Sequence, residues 1–220
     1  KVQLAVLPGN DDTFTFRVYS FQYEAEIRHS SWTLHAEGII RSAQSEARDT
    51  VPEAGASAGT GPPENHPSPE ELLSKCPDTV PGQEHYRSMD ERGLNYGPTF
   101  RGVEQIHRRD GEAVARIILP ETAAYDAEDY GVHPALLDAC FQVLGSTTTG
   151  KLAEITAGAT FLPVGLDSFR LYKQPPACIP LWAHALLRKD AGEDETAFAG
   201  DVFLLDEQGQ VIFAARGLQL

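Results

Sequence analysis

The sequence predicts an α+β chain whose antiparallel strands fall into two groups, with a central helix to wrap visible only in the second. Three observations carry this. Runs of β-formers with period-two alternation occupy much of residues 2–40 and return from about Val103 to the C-terminus, the pattern of half-buried strands. Between the groups, from about Ser42 to Pro69, Ala, Ser, Gly, Pro, Thr and Glu dominate and large apolar residues are almost absent. Such a segment buries too little surface to offset its ordering entropy, so it divides the chain. Finally, His133–Leu144 gathers Leu136, Leu137, Cys140, Phe141, Val143 and Leu144 on one side at helical spacing.

In order, residues 2–7, 13–20 and 32–40 read as strands, with Pro8-Gly9-Asn10-Asp11-Asp12 as the first turn. Alternation puts Trp32, Leu34 and Ala36 on one face and Thr33, His35 and Glu37 on the other, and Gly38 marks a bulge. Short helices are expected at Pro69-Glu-Glu-Leu-Leu and over His85–Gly93, the second stopped by its glycine. Strands follow at Val103–His107 and Ala113–Leu119. The best helix is His133–Leu144, where Pro134 suits the first turn because its missing N–H is not needed there. Further strands are expected at Ala159–Val164, Phe169–Tyr172, Leu181–Arg188, Ala197–Leu205 and Gln210–Leu220, the last two joined at Glu207-Gln-Gly209. The domain reading is residues 1–41 for the first strand group, 42–84 for the crossover and 85–220 for the second group.

Composition narrows the function classes. A hydrophobic fraction of 41% over 220 residues supports a real core. Eighteen Lys and Arg against thirty-two Asp and Glu give a formal charge of -14, which disfavours nucleic acid and anionic membrane as partners. No apolar run is long enough to span a bilayer and no signal-peptide pattern opens the chain, so a cytoplasmic protein is expected. The start, Lys1-Val-Gln-Leu-Ala-Val-Leu, is already in strand pattern and reads as part of something longer. Cys76, Cys140 and Cys178 are widely spaced without Cys-x-x-Cys, so neither a disulfide framework nor a metal site is expected. Residues 85–116 hold six arginines against five acidic groups; they read as a solvated surface or as a landing site for an acidic partner.

Two blocks stand out: Gly93-Leu-Asn-Tyr-Gly-Pro-Thr-Phe100 and His133-Pro-Ala-Leu-Leu-Asp-Ala-Cys-Phe-Gln142. Together, through Tyr96-Gly97-Pro98-x-Phe100 and the step from Asp138 to Gln142, they resemble signature blocks of the dehydratase domains of modular type I polyketide synthases. That resemblance implies a double hot-dog fold, two antiparallel sheets each wrapping a helix, with the first unit incomplete here. A further family motif, His-x-x-x-Gly-x-x-x-x-Pro with the catalytic histidine, is not among these 220 residues. The later Leu-Pro-Phe-x-Trp-like block is Phe161-Leu-Pro-Val-Gly-Leu166 here and lacks the aromatic pair, which bears on pocket shape.

Removing water from a 3-hydroxyacyl thioester needs a base for the α-proton and an acid for the departing hydroxyl. An aspartic acid serves as the acid when burial raises its pKa. The resemblance implies that Asp138 is that acid, that Gln142 and Tyr96 support it, and that Gly97, Pro98, Phe100, His133 and Pro134 shape the substrate channel. Alone, Asp-x-x-x-Gln is what any surface helix shows, a Tyr-Gly-Pro turn also fixes a chain before a strand, and His133 also reads as a helix cap. The resemblance further implies no cofactor of the domain's own, a substrate carried on the phosphopantetheine arm of an acyl carrier protein, and neighbouring synthase domains or a second copy as partners. Double-bond isomerisation or cyclisation on the same fold, and an inactive pseudo-dehydratase with a docking role, remain the alternatives.

Overall fold

Strand β1 (Val2–Pro8), β2 (Thr13–Glu24) and β3 (His29–Arg41) form an antiparallel sheet in that order. They belong to the first of two units, Lys1–Thr60 and Gly61–Leu220, in a computed structural model that describes residues 1–10, 13–24, 29–41, 66–149, 161–188 and 198–220. The expected bulge moves. Ala36 pairs with Val18 and Leu34 with Tyr19, so the extra residue is His35 rather than Gly38. The slip turns Ala36 to the face opposite Trp32 and Leu34, because each one-residue shift exchanges the two faces. Thr33 and His35 now share the face of Ser20, whose Oγ lies 2.6 Å from His35 Nε2. Gly38 has a different role: a Cβ there would lie 2.5 Å from the Phe16 ring, so glycine lets that ring cross the partner strand.

The second unit begins with α1 (Pro69–Lys75), closed by a capping box in which Ser68 Oγ accepts from Glu71 N–H and Glu71 accepts from Ser68 N–H. Strand β4 (Asp78–Pro81) follows and pairs with β5 (Val103–Arg109). Residues 69–84, read from the sequence as part of the crossover, are thus built into this unit, and the boundary between units falls inside the polar stretch before them. Leu72 and Cys76 have no exposed surface, and Leu73 and Val80 are partly buried against the core. Residues 42–65 lie outside the described residues.

Helix α2 (Gly82–Glu91) ends in a Schellman motif, with Leu94 N–H donating to Met89 carbonyl and Gly93 N–H to Asp90 carbonyl. Gly93 holds φ at +86°, the left-handed value that this closure requires and that a side chain resists. Among the described residues the remaining strands and α-helix are β6 (Glu112–Ile117), α3 (Pro134–Leu144), β7 (Ser168–Leu171), β8 (Leu181–Leu187), β9 (Ala199–Leu205) and β10 (Val211–Gln219). Among the described residues the sheet has seven strands, all antiparallel, ordered β4-β5-β6-β8-β9-β10-β7. The strand expected at Ala159–Val164 does not form over its described part, Phe161–Val164. Pro163 interrupts it, and only Gly165 bridges to Gln219.

Helix α3 packs across β6, β8 and β9. Eleven residues are too few to hold a helix by local bonds alone, so burial must hold it. Ala135, Ala139, Cys140, Val143 and Leu144 are fully enclosed, and a large apolar side chain buried this way contributes about 1.5–3 kcal/mol. A sheet wrapping one central helix is the hot-dog unit expected from the sequence. Among the described residues no helix is long and apolar enough to cross a membrane.

Candidate active site

The Tyr96–Phe100 turn and the middle of α3 meet over a pocket lined by Tyr96, Asp138, Phe141 and Gln142, with Met89, Arg92 and Leu94 from the end of α2 and Phe161, Pro163 and Leu220 from the C-terminal half. Asp138 and Gln142 lie four residues apart on α3 and so one above the other. Gln142 is buried and Asp138 is half-buried, because the pocket wall covers much of the helix side that a surface helix would leave open.

Gln142 Nε2 donates to Asp138 Oδ2 at 2.7 Å and to the Phe100 carbonyl at 3.3 Å. Burial pushes the Asp138 carboxyl above its ordinary range; the Gln142 hydrogen bond, which favours the carboxylate, opposes this only in part. Tyr96 is pushed up to about 12, first by burial and then by the negative charge of Asp138, so it is a neutral phenol in the pocket. It stacks edge-on against Tyr86 with ring centroids 5.9 Å apart. Tyr86 ties the wall together: its hydroxyl accepts from Val103 N–H at 2.8 Å and donates to the Phe100 carbonyl at 3.4 Å.

Of the eight residues singled out from the sequence, Tyr96, Asp138 and Gln142 come together in the pocket. The other five do not line it. Gly97 and Pro98 open a short 3-10 turn over Pro98–Phe100, and Phe100 contributes its carbonyl while its ring is exposed. His133 is the N-cap of α3: its Nδ1 accepts from Ala135 N–H at 3.1 Å, and its Nε2 lies 3.3 Å from Asp126 Oδ1. Pro134 takes the first helical position. These residues set the angle at which α3 enters the core.

Sequence reasoning missed His85. Its Nε2 lies 3.3 Å from Gln142 Oε1, and burial holds its pKa down at about 4, so the ring is neutral near pH 7. The signal was available in the spacing of Gly82, His85, Tyr86 and Met89, which share one face of α2; Gly82, His85 and Tyr86 are buried. Among the described residues no histidine lines the pocket. The arginine-rich stretch is locally balanced: Arg101 pairs with Asp90 at 3.5 Å, Arg108 with Asp78 at 2.7 Å, Arg116 with Glu104 at 3.3 Å, and Arg109 with Glu112.

Residues 64–220 match the family model described as the polyketide synthase dehydratase N-terminal domain. The chain belongs to the polyketide synthase dehydratase family. This dehydratase chain is 32% identical over 157 residues to the mycocerosic acid synthase-like polyketide synthase of Mycobacterium tuberculosis, covering 68% of this chain and 7% of that protein. It superimposes on the dehydratase domain of a mycocerosic acid synthase-like synthase with a TM-score of 0.77 at 25% identity, covering 99% of this chain and 67% of that one. Two CurK dehydratase structures, both inactive mutants, match with TM-scores of 0.74 at 27% identity, covering 99% of this chain and 65% and 66% of theirs. In one a histidine is replaced by phenylalanine, in the other an aspartate by asparagine. The fold is the α+β double hot-dog of these domains. The dehydratase chain therefore spans a small part of its curated relative, a multidomain synthase, and about two thirds of the solved domains.

Proposed function

We propose that this chain eliminates water from a 3-hydroxyacyl thioester carried on the phosphopantetheine arm of an acyl carrier protein, giving the α,β-unsaturated thioester, with Asp138 as general acid. The observation that carries the reading is a half-buried carboxyl group in an open pocket, raised above its ordinary pKa by burial and hydrogen-bonded by Gln142. A carboxyl group that keeps its proton can pass it to the departing hydroxyl, turning a poor leaving group into water. The base in this reading is a histidine supplied from outside these 220 residues, which fits a pocket that no described histidine lines.

Tyr96, neutral and beside Asp138, offers a second hydroxyl contact to the substrate oxygen. Phe141, Phe161 and Leu220 give the apolar wall along which an acyl chain lies. The mechanism asks for no metal or redox group of the domain's own, since the bonds broken are one C–H and one C–O. The inactivity of a CurK dehydratase carrying asparagine for an aspartate supports an aspartate in this role. Neighbouring synthase domains are the expected partners because the relatives are multidomain synthases, and a second copy is a further candidate. A cytoplasmic location belongs to the same reading, consistent with three free cysteines.

The test is mass spectrometry of a 3-hydroxyacyl carrier-protein thioester incubated with the protein. The expected product has lost one water and gained a double bond between the α and β carbons. An unchanged mass with a new ring, or a moved double bond when the α,β-unsaturated thioester is supplied instead, would select the cyclase or isomerase alternative, and no reaction from a folded protein supplied with its partner domains would select the pseudo-dehydratase.

A further inference from the structure

Gln142 has three hydrogen-bonding partners, and their chemistry fixes which way its amide points. Nε2 faces Asp138 Oδ2 and the Phe100 carbonyl, while Oε1 faces His85 Nε2. A main-chain carbonyl only accepts, so the nitrogen end belongs on the Phe100 side. The oxygen end then needs a donor. His85 is buried, with 5% of its surface exposed, and neutral, so it supplies one only as the tautomer with hydrogen on Nε2.

We propose that His85 is a positioning residue: its Nε2–H locks the Gln142 amide so that a donor meets Asp138 Oδ2, leaving Oδ1 as the oxygen that carries the transferable proton. The last step rests on reading Asp138 as the acid; the lock does not. The reason is acceptor strength. The hydroxyl oxygen of a carboxyl group accepts more weakly than its carbonyl oxygen, so the Gln142 N–H on Oδ2 favours the proton on Oδ1. Oδ2 is the oxygen that Gln142 holds, so a proton on Oδ1 is the one free to be given away. Without His85 the amide loses the partner that holds its oxygen end, and only the Phe100 carbonyl then opposes a rotation that brings Oε1 toward Asp138, where it accepts from the protonated acid. His85 thereby sets how tightly Asp138 holds its proton.

The other titratable or charged groups around Asp138 are Tyr86 on α2, Tyr96 beyond it, Cys140 on α3 and Arg92 in the pocket wall. Burial keeps the first three protonated and uncharged, so none of them titrates alongside Asp138 in the acid range.

The test is a carbon-13 titration of the Asp138 carboxyl in the wild-type chain, His85→Phe and His85→Gln, with nitrogen-15 shifts of the wild-type His85 ring recorded in parallel. His85→Phe should raise the Asp138 midpoint by about half a pH unit or more, roughly threefold tighter proton binding. His85→Gln, which returns an amide N–H to the same position, should restore the wild-type midpoint. A midpoint unmoved by His85→Phe would overturn the lock. If His85→Phe does not fold, the ring nitrogens decide: hydrogen on Nε2 supports the lock, and hydrogen on Nδ1 overturns it. Because no turnover is measured, a positive result stands even if Asp138 proves not to be the acid, and a negative one leaves that reading to its own assay.

Discussion

Asp138→Asn is expected to lower turnover of a carrier-bound 3-hydroxyacyl thioester by about 10²–10⁴-fold, the usual contribution of a positioned acid. Asparagine has the same shape, and its amide oxygen still accepts from Gln142 Nε2, so the wall formed by Gln142, Phe100 and His85 stays satisfied. What it lacks is a proton acidic enough to move onto the leaving hydroxyl. The change should therefore fall on kcat more than on KM, because the apolar wall proposed to hold the acyl chain, Phe141, Phe161 and Leu220, is untouched. Equal kcat for both proteins, measured on the same carrier-bound substrate, would remove Asp138 from the chemistry.

Phe213→Ala carries the largest expected cost to the fold. Phe213 is fully buried on β10, in the same apolar cluster as Leu136, Val143 and Leu144 of α3, and its ring centre lies 5.1 Å from that of Phe169. Truncation removes the transfer free energy of the ring and leaves a cavity between sheet and helix, for about 3–5 kcal/mol. Urea unfolding should show the unfolding free energy falling by that amount, as a lower midpoint with the slope unchanged. A loss under 1 kcal/mol would mean that the sheet closes freely onto α3, contrary to the packing described. The site depends on this packing, since Asp138 is held at the pocket by the helix that Phe213 helps to seat.

Much of this arrangement is legible in residue order, for reasons that can be named. Helical periodicity alone places Asp138 and Gln142 one turn apart, and the glycine at 93 announces the end of α2. Three features escape such reading. The bulge at His35 depends on pairing between β2 and β3, and alternation along a single strand cannot register it. Strand β4 spans four residues, too short for a pattern, and exists because its backbone pairs with β5. His85 reaches Gln142 across 57 residues of chain, so its role depends on how α2 docks against α3 and not on any local motif. The two blocks around Tyr96 and Asp138 pointed to the right family, but the amide lock between them is a property of the folded wall.

The most direct test of Asp138 as proton donor is the pH dependence of kcat in the wild-type protein, set beside the carboxyl's own carbon-13 titration. Only the protonated acid can donate. Burial raises its pKa, so the loss of its proton should set an alkaline limb at that raised value, while the need for a neutral base sets a separate acid limb. The account predicts an alkaline limb whose midpoint lies above the ordinary aspartate value and coincides with the Asp138 titration under saturating substrate. Turnover that stays level while Asp138 passes from acid to carboxylate would contradict it.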